Sequence, residues 1–102
     1  MDNFYSYILY SKKLDKFYIG STSVETNIRL LRHLKKYYGN AKFTAKSDDW
    51  ILFFDIKCNS FQQAQKIEKH IKLMKSKKYI HNLKKYPEIS AKILEKYKEI
   101  ES

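Results

Sequence analysis

A chain of 102 residues fits one compact domain and leaves no room for a second. Its 43 % hydrophobic content and interspersed charge predict a folded protein, while the single cysteine, Cys58, excludes an internal disulfide and a cysteine-rich zinc framework. The formal net charge of +10 points to a polyanionic partner such as a nucleic acid.

Nearly all of that charge is lysine; only Arg29 and Arg32 are arginines. Lysine is a hydrated point charge suited to phosphate attraction, whereas the arginine fork suits specific pairing. A lysine-rich surface also arises by compositional drift. The start, Met1-Asp2-Asn3-Phe4, lacks the features of a signal peptide, and no apolar run approaches the roughly 20 residues that cross a bilayer. A cytoplasmic location is therefore expected.

Residues 4–10 (FYSYILY) are aromatic and β-branched and predict a strand. Ser11 to Lys16 supply a turn, and Phe17-Tyr18-Ile19 returns as a second strand that Gly20 is expected to stop. A helix follows, with Thr22 and Glu25 in capping-box register. Val24, Ile28, Leu31, Leu34 and Tyr38 recur at helical spacing and predict its core face, and Gly39-Asn40 a stop. Residues 39–49 read as a loop in which Phe43 is the candidate anchor. Residues 50–56 (WILFFDI) are apolar at nearly every position, which predicts a strand buried on both faces at the centre of a small sheet.

Ser60 and Gln63 repeat the capping pattern before a helix whose stripe is Ala64, Ile67, Ile71 and Met74. A third helix is expected from about Ser76 to Tyr86. Pro87 suits the first turn of a fourth, which carries Ile89, Ile93, Tyr97 and Ile100. The order β-β-α-β-α-α(-α) predicts an α+β domain with helices flanking a three-stranded, mostly antiparallel sheet.

Candidate chemistry sits in four places. Among nine tyrosines, Tyr5, Tyr7, Tyr10 and Tyr18 lie in the hairpin; each can be a packing residue, and two on one face can present hydroxyls to a phosphate or water. Arg29, Arg32, His33 and Lys36 form a basic stripe placed roughly opposite the predicted core face, either a solvated surface or a phosphate clamp. Glu68 lies at the edge of an apolar stripe, where a carboxylate needs a partner. Lys72 at i+4 offers an ion pair, and Mg²⁺ is the alternative. Lys42 and Lys46 in the 39–49 loop, with Lys77 and Lys78 and the pair Lys84-Lys85, are compatible with backbone contacts to DNA or with solubility alone. Two glycines, Gly20 and Gly39, exclude a glycine-rich phosphate cradle. Cys58, just after an apolar run, reads as a packing residue rather than a nucleophile.

Ser6-Tyr7-Ile8-Leu9, then Tyr18-Ile19-Gly20-Ser21-Thr22, then Arg29 with His33, Trp50 opening a strand, and Glu68 in a helix resemble the ordered motifs of the GIY-YIG nuclease family. The resemblance covers about residues 5–75, with C-terminal helices over about 76–101 of one domain, 1–102. It is strongest to the small stand-alone bacterial branch, which is related to the nuclease domain of the nucleotide-excision-repair incision subunit and of homing endonucleases. Tyr5 and Ser6 stand where the family has Gly and Ile, so only Tyr7 matches there. Asn82 is the one nearby candidate for an asparagine late in the family pattern.

What the resemblance implies is a DNA endonuclease, in repair, recombination or mobile-element processing, that uses one divalent ion, Mg²⁺ or Mn²⁺. Glu68 would ligate the metal and Tyr7 would take the proton of the attacking water. A free tyrosine has a pKa of about 10, so cations must lie close to it. Arg29 would serve that end and brace the phosphate, Tyr18 would position water or phosphate, and His33 would assist. Arg32, Lys36, Lys42, Lys46, Lys77 and Lys78 would contact duplex or branched DNA. The alternative is a non-catalytic nucleic-acid-binding module of the same fold.

Overall fold

The computed structural model describes residues 3–34 and 43–98, without the side chains of Asn27, Phe43 and Thr44. Its elements run β1 (Phe4–Ser11), β2 (Lys16–Thr22), α1 (Thr26–Leu34), a short 3-10 turn (Phe43–Lys46), β3 (Ile51–Cys58), α2 (Phe61–Met74), α3 (Lys77–Lys85) and α4 (Pro87–Lys96). The three strands form an antiparallel sheet in the order β2-β1-β3. This is the expected α+β architecture.

β1, not β3, is the central strand. Its side chains alternate, as a strand's must, between two helical layers. Tyr7 and Leu9 pack with Trp50 against Leu30 and Leu34 of α1. Ile8 packs with Ile56 and Cys58 against Ala64, Ile67 and Ile71 of α2, backed by Ile80, Leu83 and Ile93. The expectation that residues 50–56 form the central strand is therefore corrected. β3 is apolar because helices cover both faces of the sheet, yet it lies at an edge and leaves Ile51 55 % exposed. A bulge interrupts its pairing: Ile8 opposes Phe54 and Leu9 opposes Leu52, which leaves Phe53 as the extra residue. The Phe53 ring sits edge-on to Phe17 at 5.1 Å between centroids.

β2 also runs beyond its expected end, through Gly20 to Thr22. Thr22 is not a helix cap. Its hydroxyl accepts from the Val24 amide at 3.0 Å, and the Glu25 carbonyl receives the first helical amides, Ile28 and Arg29. In α2 the expected cap holds: the Ser60 hydroxyl accepts from the Gln63 amide at 3.0 Å. The Gln63 side chain reaches back to the Asn59 amide at 2.7 Å and donates to the Leu94 carbonyl at 3.0 Å, tying α2 to α4. Ala64, Ile67 and Ile71 are buried as expected, but Met74, at the helix end, is exposed. Pro87 opens α4, where its missing N–H breaks no helical bond.

The hairpin loop is held by Asp49. Its carboxylate accepts from the Ser11 hydroxyl at 2.5 Å, from the Ser47 hydroxyl and from the Lys13 amide at 2.9 Å. Cys58 is buried, and burial pushes its thiol up, so it stays protonated and unreactive. No helix among the described residues is long and apolar enough to cross a membrane.

Candidate active site

The site grows from the face of α1 that points into the protein. Thr26, Arg29 and His33 are spaced i, i+3, i+7 and so share one side of the helix. Thr26 and His33 are buried, the latter only 1 % exposed, while Ile28 and Leu31 are 45 % and 53 % exposed. This reverses the expected orientation, in which Ile28 and Leu31 faced the core and the basic stripe faced away. The reason is the hydrogen-bonding need of one residue beneath the helix. Tyr7 projects from β1 with its whole side chain buried, and a buried hydroxyl demands polar partners.

α1 supplies them. Arg29 Nε donates to the Tyr7 hydroxyl at 3.1 Å, and His33 Nε2 lies 3.0 Å from the same oxygen. Tyr18, from β2, meets the His33 imidazole edge-on at 4.9 Å and the Tyr7 ring at 6.3 Å. Leu30 and Leu34 flank the polar contacts with apolar packing. Four of the five expected catalytic residues are thus brought together.

The hydroxyl partners of Tyr7 differ from those of its neighbours in the hairpin. Burial and then the charges of Glu25 and Asp55 push the Tyr5 hydroxyl up. A hydrogen bond to Asp15, at 2.8 Å, does the same for Tyr10. Tyr7, fully buried, instead has the Arg29 guanidinium at its oxygen.

Two further residues, not among the sequence candidates for the site, shape the cluster. Gly20 pairs with Tyr7 across β1 and β2, and the phenol leans over it. Asp55 pairs with Tyr7 on the other side and accepts from the Thr26 hydroxyl at 2.8 Å, which fixes the first turn of α1. The available signals were a glycine between strand-forming residues and a lone carboxylate within an apolar run.

Glu68 stands apart from these four. Helix α2 packs on the opposite face of the sheet, mainly against β2 and β1, and the Glu68 carboxylate accepts from Lys72 Nζ at 2.6 Å. The Glu68 side chain keeps 22 % exposure and the lysine 54 %. An exposed i, i+4 pair contributes only about 0.3–0.5 kcal/mol, so Glu68 can exchange partners at small cost. Among the described residues no three His, Cys, Asp or Glu side chains gather as a metal cage. One partly exposed carboxylate still fits Mg²⁺ or Mn²⁺, since Mg²⁺ is commonly held by one or two carboxylates with waters and substrate phosphates.

The expected DNA contacts are scattered. Arg32 is half-buried on α1, while Lys46 and Lys78 are exposed. Lys77 binds the Asp15 carbonyl at 3.0 Å and its carboxylate at 3.1 Å. Lys36 and Lys42 lie outside the described residues, as do the helix position Tyr38 and the Gly39-Asn40 stop; Asn82 belongs to α3, in the layer of α2.

A family model described as the GIY-YIG catalytic domain matches residues 3–85. No curated protein and no solved structure matches the chain significantly.

Proposed function

Because the chain belongs to the GIY-YIG nuclease family, we propose that it is an endonuclease that hydrolyses DNA phosphodiester bonds with one divalent ion, working in the cytoplasm. The convergence of Arg29 Nε and His33 Nε2 on one buried phenolic oxygen is the observation that best supports this reading. A packing tyrosine needs one partner; a proton-transfer group needs an acceptor for its proton and a cation to stabilise its anion.

In this scheme His33, with Nε2 unprotonated, receives the Tyr7 proton, and the Tyr7 oxygen takes a proton from the attacking water. Arg29 stabilises the phenolate and braces the phosphate as charge develops on it. Tyr18, edge-on to His33, holds the imidazole plane. Because Tyr7 is 0 % exposed, its hydroxyl meets water only when its surroundings open as substrate binds. Glu68 would hold the metal, with Lys72 released. Mg²⁺ or Mn²⁺ held there would supply positive charge to a phosphate oxygen. Because α2 packs on the sheet face opposite Tyr7, the DNA strand would have to cross the sheet edge to meet both groups.

The test is cleavage of plasmid, single-stranded and branched DNA by wild type, Tyr7→Phe and Glu68→Gln, with Mg²⁺, Mn²⁺ or chelator. Wild type should cut only with metal. Each variant should lose a hundredfold or more while still binding DNA. Rates in both variants within about tenfold of wild type, a difference of 1.4 kcal/mol, would refute the assignment. Binding without cleavage by wild type under every condition would identify a non-catalytic module.

A further inference from the structure

We propose that the groove between β2 and the α2–α3 junction is a second subsite, one that seats an unpaired nucleotide of the DNA strand beside Glu68; this rests on the nuclease reading above. The groove has a volume of about 220 Å³ and an apolar floor of Phe17, Ile19, Ile71 and Ile80. Lys16, Lys72, Lys75 and Lys77 form its rim. Sites that enclose a whole small ligand span about 300–1,000 Å³, so this one suits part of a longer chain.

The chemistry of floor and rim selects the occupant. Lys16 and Lys75 offer ammonium groups to phosphates beside Lys72 and Lys77, which pair with Glu68 and Asp15, and a duplex could use them. A duplex could not use the floor, because its base faces are stacked on one another. An unpaired base has an open face to lay on Phe17 and Ile19, the half-buried residues of the floor, as single-strand binders exploit. The groove also continues from the proposed metal carboxylate, since Lys72 on its rim is the partner of Glu68.

Lys75 provides a second, independent observation. It caps the C-terminus of α2 with φ 47° and ψ 42°, in the left-handed region where glycine is favoured. A lysine there incurs a backbone cost that glycine would avoid. Among the described residues Lys75 makes no ion pair that would offset it. A side chain kept at a strained position points to a use for its charge.

The experiment is fluorescence anisotropy in chelator, so that nothing is cut, with a labelled single strand, the same strand carrying abasic sites, and a blunt duplex. Wild type should bind the intact strand about tenfold tighter than the abasic one. Lys75→Gly should weaken binding several-fold and reduce the slope of log affinity against log salt by about 0.7. Its melting temperature should stay the same or rise. Lys75→Arg should restore binding, and Lys92→Ala, on α4, should leave the slope unchanged. Equal affinity for intact and abasic strands, or wild-type binding by Lys75→Gly, would overturn the groove. Wild type that cuts DNA while these variants bind normally loses only the groove. Wild type with the groove signature but no cleavage loses only the nuclease.

Discussion

The phenol of Tyr7 occupies the space that a side chain at position 20 would fill: a Cβ on Gly20 would lie 2.5 Å from the Tyr7 hydroxyl oxygen and 2.6 Å from Cζ. Both residues are buried, and they face each other across β1 and β2. Gly20 thus lets the tyrosine reach sideways to Arg29 and His33.

Gly20→Ala should therefore act on the hydroxyl rather than on the fold. The added methyl must push the ring end away, and overpacking of this kind costs about 1–3 kcal/mol. A misplacement near 1 Å can reduce a rate about a hundredfold. Cleavage assays beside thermal melts check this: a folded variant with a large rate loss is expected. Full activity would show that the Tyr7 hydroxyl takes no part in the reaction.

Asp55 should behave as a positioning residue. Its bond to Thr26 fixes α1 two turns before His33. Asp55→Ala should lower kcat while KM and DNA affinity change little, and Asp55→Asn, which keeps an acceptor, should recover most of the loss. Thr26→Ser should be tolerated and Thr26→Val should not. An unchanged kcat in Asp55→Ala would mean that sheet packing alone sets the helix.

His70 predicts a decline of stability in mildly acidic solution. Its Nδ1 lies 2.8 Å from the Tyr97 hydroxyl and its Nε2 3.0 Å from that of Tyr79, tying α2 to α3 and to the residue that ends α4. Burial, and then the charge of Lys96, lowers its pKa below 6.5. The folded state thus favours the neutral ring. The contribution is complete above about pH 6.5, the unfolded value, and is lost as pH falls from there through the folded pKa. Melting between pH 7 and pH 5 should show this decline in wild type and a shallower one in His70→Phe, which is less stable at pH 7. Parallel curves would remove His70 as the cause.

Asp49 predicts a second loss at lower pH. Hydrogen bonds from Ser11, then Ser47, then the Lys13 backbone hold its carboxyl far below the usual carboxylate range. Its contribution is present above about pH 4 and is lost as pH falls further toward the folded pKa. Asp49→Asn should be less stable than wild type at neutral pH, with the gap narrowing steadily below pH 4. A gap of the same size at pH 7 and pH 3 would assign the loop clamp to packing instead.

Local signals in the chain set the order of elements and many of their ends. Ser60 with Gln63 marks the start of α2, and Pro87 marks α4, because caps and proline act within one helical turn. Tyr7, Tyr18, Arg29, His33 and Glu68 are picked out as candidates because they fall, in order, in the motifs that carry the family resemblance. The sequence also carries the sign of the partner, since charge is additive along a chain whatever its fold.

Tertiary structure decided the rest. Apolar periodicity puts Ile28 and Leu31 inward, but a buried phenol needs Arg29 and His33, and α1 turns its polar side to it. The apolar run of β3 shows only that both faces of the sheet are covered, not which strand lies in the middle. Gly20 looks like a terminator until the ring across from it is seen. Glu68 reads the same as an ion-pair partner or a metal ligand, and its placement on the face opposite Tyr7 follows from the packing of α2. In each case the deciding term is a contact between residues far apart in the chain, and local pattern carries no information about which buried polar group will need a partner.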